Sequence, residues 1–260
     1  MLKLMKYEFR KNRTGLGVML GFALGMYLVA LIGGMLDQYG LIAISVVALF
    51  FYAFAAYVYV LVRGISAYSG ELRGRTGYLL MMVPRSTMSI LFGKLLFTLF
   101  FALLMLAATV LALMGAGSIL VAELYELDGV ANAMYMLDLM RTTFAELGFD
   151  PMLIVYTSVY FVGEILSSVL MIVSIAYLAV TLSATVLESG KLRGLISFVF
   201  FAALFALVTY LTNLVVPEAS FYETYAEAMR ATLPSLGMHL AVTCLFTALS
   251  AVLLKERVSL

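Results

Sequence analysis

Six long apolar stretches constrain this chain more than any other feature of its sequence. They are residues 14–36, 41–62, 95–120, 152–187, 195–216 and 235–254, and each is bounded by charged residues, Pro or clusters of Gly. A helix needs about 20 mostly apolar residues to cross a bilayer core that is about 30 Å thick. A composition of 64% apolar and 12% charged residues is not that of a soluble globule. The stretches therefore predict an all-α integral membrane protein with six transmembrane helices.

Basic residues are distributed unevenly between the segments that separate these stretches. Alternate segments carry fourteen Lys and Arg on one side of the membrane and two on the other. The acidic residues show the reverse pattern, with four on the basic side and ten on the other side. Lys and Arg favour cytoplasmic loops. The pattern predicts that both termini lie in the cytoplasm. The formal net charge of +1 argues against a general nucleic-acid-binding protein.

Two cytoplasmic segments of this single transmembrane domain, residues 1–260, have recognisable patterns. The basic head, residues 1–13, has apolar residues at helical spacing and predicts a short interfacial elbow helix, with a disordered basic tail as the alternative. The loop of residues 63–94 contains Pro84, which favours a new helix immediately after it. Its apolar patch, Tyr78–Val83, is either a docking surface or a membrane-interface segment.

Two outer segments have the periodicity of short amphipathic helices. Residues 121–150 contain an apolar stripe at helical spacing. In residues 217–234, Ser220 and Glu223 form a capping box, and Pro234 is expected to separate this helix from the sixth span. Both segments are too short to form domains, so we expect short extracellular helices.

One acidic residue, Glu164, falls inside an apolar stretch. A carboxylate at the centre of a bilayer costs several kcal/mol and is a functional-site candidate by default. Glu164 lies 23 residues before Leu187, about 34 Å along a helix, which places it near the outer headgroups. We therefore expect a gating or structural acid, and a proton or ion relay is the alternative.

Motifs for catalysis are sparse in this sequence. A phosphate-binding G-x-x-x-x-G-K-[ST] motif is absent, so any ATP-driven activity needs an ATPase on another chain. The one cysteine, Cys244, cannot build a cysteine metal cluster, and the one histidine, His239, cannot build an HExxH motif. Ser118 and His239 have the residue types for acyl transfer, which leaves an intramembrane serine protease as a remote alternative. We expect no enzymatic activity, metal or cofactor in this chain.

The first 100 residues contain three elements of a known pattern. A short basic segment, Leu4–Lys11, precedes the first span; Gly77–Pro84 reads GYLLMMVP; and Ser86 is followed by Gly93–Leu96, which reads GKLL. With the six-span layout, these residues resemble the permease subunits of ATP-binding cassette transporters of the type 2 exporter class.

The resemblance implies a mechanism and a set of contacts. Two permeases, identical or paralogous, would form the path across a bacterial cytoplasmic membrane, and a dimer of separate ATPase subunits would bind ATP and Mg²⁺. The loop between spans two and three would insert a coupling helix into the ATPase. Carried onto this chain, the coupling interface would comprise Gly77, Tyr78, Leu79, Met82, Pro84, Arg85 and Ser86. The longer outer segment lies between spans three and four here, whereas in well-known members it lies between spans five and six.

A second cytoplasmic contact is suggested by a local repetition. Ser69–Gly74 and Ser189–Gly194 match at five of six positions, and each follows a span on the cytoplasmic side. The repetition is either a turn signature used twice or two elements that touch the same partner. In the second case Lys191 and Arg193 would contact the ATPase. A secondary transporter and a membrane-embedded sensor or assembly protein remain alternatives to the exporter.

Overall fold

The structure, a computed structural model, describes residues 2–73, 86–124, 138, 142, 151–186, 192–216 and 225–258. These residues contain no strand, and their six long helices are α1 (Leu2–Met35), α2 (Tyr39–Arg73), α3 (Thr87–Leu124), α4 (Pro151–Val186), α5 (Arg193–Val215) and α6 (Tyr225–Val258). All six are long and apolar enough to cross a membrane. The predicted all-α fold with six spanning helices is confirmed to this extent. It indicates a multi-pass membrane protein, whereas the orientation of the termini stays a prediction.

A tight turn joins α1 to α2. Asp37 adopts a φ of 50°, in the left-handed region that often ends a helix. The Gln38 N–H donates to the Gly33 carbonyl at 2.9 Å. A Cβ on Gly33 would lie 2.9 Å from the Ile42 side chain. The two helices therefore approach too closely here for a larger residue at position 33.

The start of α3 has a side-chain cap. The Ser89 N–H donates to the Ser86 hydroxyl oxygen at 3.3 Å, which places Ser86 at the N-cap position, where a side-chain oxygen satisfies one of the free amides of the first turn. Thr87 is the first helical residue. The helix begins three residues after Pro84, which itself lies outside the described residues.

The basic head is helical and continues into the first span without a break, because α1 begins at Leu2. Its buried face is polar: Glu8 and Asn12 are buried. Tyr7 and Phe9 are exposed on the other side. Residues 2–13 thus form the first turns of α1 and not a separate helix, and their place at the membrane interface stays a prediction.

Pro234 does not separate an outer helix from the sixth span, contrary to the prediction. This residue lies inside α6, which begins at Tyr225 and continues to Val258. Proline removes one helical hydrogen bond, but helices of membrane proteins tolerate this loss where neighbouring groups compensate.

Residues 217–224, including the predicted capping box, lie outside the described residues. The same is true of most of 121–150, where only Asp138 and Thr142 are described.

The helix α4 has 36 residues and would be about 54 Å long. That length exceeds one bilayer core. The helix begins at Pro151, a residue well suited to a first helical position because its missing N–H has no helical partner there.

The helices contribute to two compact units. The first comprises Met1–Phe9, Val60–Phe100 and Tyr156–Leu260. Its apolar core contains residues of α4, α5 and α6, namely Met171, Ile175, Leu178, Val208, Val242 and Phe246. The three helices thus pack together through aliphatic and aromatic side chains.

The second unit comprises Arg10–Tyr59 and Phe101–Val155. Its core lies between α1, α2 and α3 and is rich in alanine: Ala23, Ala30, Leu49, Tyr52, Ala56, Ala112 and Ala116. Small residues allow helix backbones in a membrane to approach closely. A Cβ on Gly115 would lie 2.5 Å from the Tyr27 ring, so α1 and α3 are in close contact at this position.

Candidate functional site

Most of the residues that the sequence predicts to contact a partner lie outside the described residues. These are Gly77, Tyr78, Leu79, Met82, Pro84, Arg85 and Lys191. Ser86 is the N-cap of α3. Arg193 is the first residue of α5, and its side chain is not described. Two of the expected positions are therefore placed on helices, Arg193 on α5 and Glu164 on α4, and Ser86 lies directly before α3.

The two helices that flank the predicted coupling segment are joined by one lysine. Lys94 on α3 is 1% exposed, and its Nζ donates to the Ala67 carbonyl of α2 at 2.7 Å. The same Nζ lies 3.3 Å from Glu8 Oε1 at the start of α1. A buried ammonium needs such partners, because desolvation of an unpaired charge is costly. Through these contacts, Lys94 connects the head of α1, the end of α2 and the start of α3.

Contacts between α2 and α4 extend this connection. The Tyr177 hydroxyl donates to the Gly64 carbonyl at 3.2 Å, and the Tyr68 hydroxyl is hydrogen-bonded to Thr181 at 2.6 Å. The two tyrosine rings pack with their centroids 4.4 Å apart. A Cβ on Gly64 would lie 3.0 Å from Val173. The end of α2 is therefore tightly packed against α4.

A second polar cluster connects α4 to α6. Glu164 Oε1 accepts a hydrogen bond from the Ser235 hydroxyl at 2.8 Å and lies 3.4 Å from His239 Nδ1. The Tyr160 hydroxyl faces both Ser235 and Glu164. We call Tyr160, Glu164, Ser167, Ser235 and His239 the α4–α6 cluster. Its members combine a carboxyl, an imidazole and three hydroxyl groups in spans that are otherwise apolar.

Hydrogen positions in the cluster follow from a count of donors. The Ser167 hydroxyl donates to the Glu164 backbone carbonyl at 3.1 Å, and its oxygen lies 3.2 Å from His239 Nδ1. A hydroxyl has a single hydrogen. Ser167 therefore accepts from His239, and Nδ1 carries a hydrogen. That hydrogen also faces the carboxylate oxygen of Glu164.

In the sequence, Glu164 stands as a single acidic residue within an apolar stretch. In the structure, it contacts polar side chains of α6. Ser235 and Glu164 are 71 positions apart in the chain, so the pairing depends on how α4 and α6 pack. One signal was available: Glu164 and Ser167 are three residues apart, and Ser235 and His239 are four apart, so each pair shares a helix face. Two such polar faces in apolar helices indicate a contact between them.

Ser118 and His239 each have other partners. The Ser118 hydroxyl donates to the Gly115 carbonyl of its own helix at 2.8 Å. The serine that His239 does contact, Ser167, shares Nδ1 with Glu164, whereas a catalytic triad places serine and carboxylate on opposite ring nitrogens. The described residues include no group of three His, Cys, Asp or Glu side chains that could hold a metal ion.

Comparisons of the chain with protein-family models, with curated proteins and with solved structures gave no match.

Proposed function

We propose that this chain is the non-catalytic permease subunit of an ATP-driven exporter, of the type 2 ATP-binding cassette class that its first 100 residues resemble. The observation that carries the proposal is the position of Lys94. It binds the head of α1 and the end of α2 from the start of α3, and α2 and α3 are the two helices that bound the segment Gly77–Ser86.

A coupling segment must pass the movement of an ATPase to the helices that form the path. The chain leaves α2 at Arg73 and enters α3 at Thr87, and the buried contacts of Lys94 resist separation of the two helices. Tyr177 and Tyr68 then join the end of α2 to α4. A displacement at residues 77–86 would therefore move α2, α3 and α4 together and not as independent helices.

The distribution of charge supports the same orientation. The loop that contains the segment belongs to the basic set, which favours the cytoplasm, where an ATPase has access to ATP and Mg²⁺. In this proposal a second permease copy or a paralogue completes the path, two ATPase subunits bind below, and the assembly lies in a bacterial cytoplasmic membrane.

The direct test is co-purification of the full chain with a candidate ATPase, chosen as a small protein with the phosphate-binding motif that this chain lacks. We expect a stable complex that is lost in Tyr78→Asp and Pro84→Asp, because a charge at an apolar docking contact is costly. Asp37→Asn, in the α1–α2 turn, is the matched control and should leave the complex intact. A complex that survives replacement of all of residues 77–86 would contradict the coupling assignment.

A second experiment separates binding from transmission. Lys94→Met combined with Glu8→Leu removes both charges of the buried pair but not the docking segment, and it should be more stable than Lys94→Met alone. The variant should still bind the ATPase and should lose the stimulation of ATP hydrolysis that complex formation produces. Normal stimulation in this variant would show that the Lys94 contacts do not transmit the movement.

The α4–α6 cluster favours a secondary transporter as the second candidate function. Such transporters place ionisable groups inside the bundle, next to the path of the substrate or coupling ion. The discriminating measurement is transport in vesicles that contain only this chain. Activity without any ATPase would favour the secondary transporter, whereas strict dependence on the ATPase and ATP would favour the exporter.

A further inference from the structure

The surface of α1 is rich in positive charge just before its apolar stretch. Arg10, Lys11 and Arg13 are all exposed, and we call these three residues the α1 cations. In the part of the chain that the structure describes, no ion pair includes any of them. Their positive charges are therefore directed to groups outside the protein.

The acid of the α1 head does not cancel this charge. Glu8 is the one acidic residue between Met1 and Arg13. Its side chain is 1% exposed, and its Oε1 lies 3.3 Å from Lys94 Nζ, so its negative charge is balanced inside the protein. A surface with several like charges and no opposite charge attracts ligands of the other sign. The α1 cations are therefore suited to an anionic ligand.

The position of the α1 cations along the helix indicates which anion they meet. The head continues into the first span without a break, and the first apolar stretch begins at Thr14. At about 1.5 Å per residue, Arg13 lies about 1.5 Å and Arg10 about 6 Å before Thr14. The headgroup layer on each side of a bilayer core is about 5 to 7 Å thick. The α1 cations thus lie at the depth of the lipid phosphate groups.

Two exposed aromatic side chains precede the α1 cations in the same helix. Tyr7 is 65% exposed and Phe9 is 39% exposed. Exposed aromatic rings beside Lys and Arg are typical of helical segments that bind membrane surfaces, where the rings lie among the headgroups. This combination, next to a spanning helix, favours a lipid over a soluble polyanion as the ligand.

We propose that the α1 cations bind the phosphate groups of anionic lipids, with Tyr7 and Phe9 among the headgroups. The bound lipids neutralise the surface charge of the α1 head and hold it at the membrane. Each Lys or Arg near an anionic membrane surface strengthens binding about fivefold. The site requires only the membrane and no ATPase, so it is independent of the proposed function.

The first test titrates phosphatidylglycerol or zwitterionic phosphatidylcholine into the full purified chain in a neutral detergent and counts bound lipids by native mass spectrometry. We expect wild type to prefer phosphatidylglycerol. Arg10→Gln with Arg13→Gln should weaken phosphatidylglycerol binding roughly 20-fold, since two cations are lost. Arg230→Gln with Lys255→Gln is the matched control, because it removes the same charge from exposed positions on α6, and it should bind like wild type.

Two results of this test would overturn the proposal. One is equal phosphatidylglycerol binding by wild type and by Arg10→Gln with Arg13→Gln, which would leave the α1 cations with a role in orientation alone. The other is an equal loss in both double variants, which would mean that total charge and not this site attracts the lipid.

The second test uses wild type alone, so it does not depend on the folding of a variant. Binding of phosphatidylglycerol should weaken as salt is raised, because salt screens charges at a surface. Glycerol 3-phosphate at the same concentration should not displace the lipid, since it lacks the acyl chains. Salt-independent binding, displacement by glycerol 3-phosphate, or displacement by an acidic peptide or an oligonucleotide would each refute an anionic lipid as the ligand.

Discussion

Lys94 Nζ and Glu8 Oε1 lie 3.3 Å apart, and both side chains are 1% exposed. The two residues belong to the start of α3 and the head of α1, so this ion pair, together with the bond from Lys94 to the Ala67 carbonyl, connects three helix ends. A buried pair of this kind is weak evidence for net stability, but removal of one partner deprives the other buried charge of this contact.

Removal of one partner should therefore be far more damaging than removal of both. Lys94→Met should lower the free energy of unfolding by about 3 to 5 kcal/mol. The double variant Lys94→Met with Glu8→Leu should recover a large part of that loss, because both charges of the pair are removed. Thermal unfolding of wild type, Lys94→Met, Glu8→Leu and the double variant in detergent gives the comparison. A double variant that is less stable than Lys94→Met would contradict this account.

Gly64 marks a point where α2 has no room for a side chain. A Cβ at this position would lie 3.0 Å from both Thr98 and Val173, so Gly64→Val should destabilise the protein by about 1 to 3 kcal/mol. Gly17→Val in α1 is the matched control, because a Cβ there meets nothing within 4 Å. Unfolding midpoints measured in one detergent test the pair, and equal effects at both positions would refute the packing argument.

Asp37 pays a conformational penalty for its left-handed backbone. Glycine adopts positive φ without strain, so Asp37→Gly should raise stability by roughly 0.5 to 1 kcal/mol. Asp37→Val should lower it by about 1 to 2 kcal/mol, because the branched side chain clashes in this conformation. The two variants should shift the unfolding midpoint in opposite directions. A shift of the same sign in both would mean that the backbone angle does not limit this turn.

The predicted orientation can be tested with single cysteines. In a Cys244→Ser background, Asp37→Cys should react with a membrane-impermeant maleimide on intact host cells, whereas Glu256→Cys should react only after permeabilisation. Both positions are exposed, so access depends on the side of the membrane. Labelling of Glu256→Cys in intact cells would reverse the topology and would remove the docking segment from the cytoplasm.

The helical architecture was predictable because it depends on local properties. An apolar stretch of the right length and a proline or glycine at its edge determine where a spanning helix begins and ends. The start of α4 at Pro151 is one example. Pro234 did not act in this way, because α6 continues through it.

The pairs of residues between helices were not predictable in the same way. The sequence by itself determined that six apolar helices form and that Lys94, Glu8, Glu164 and His239 occupy them, since these facts depend on composition and spacing along one helix. Only the tertiary structure decided that Lys94 meets Glu8 and that Glu164 meets His239. The contact between two helix faces depends on the simultaneous packing of all their side chains. The spacing of residues along the chain does not show which distant residues meet in such a contact.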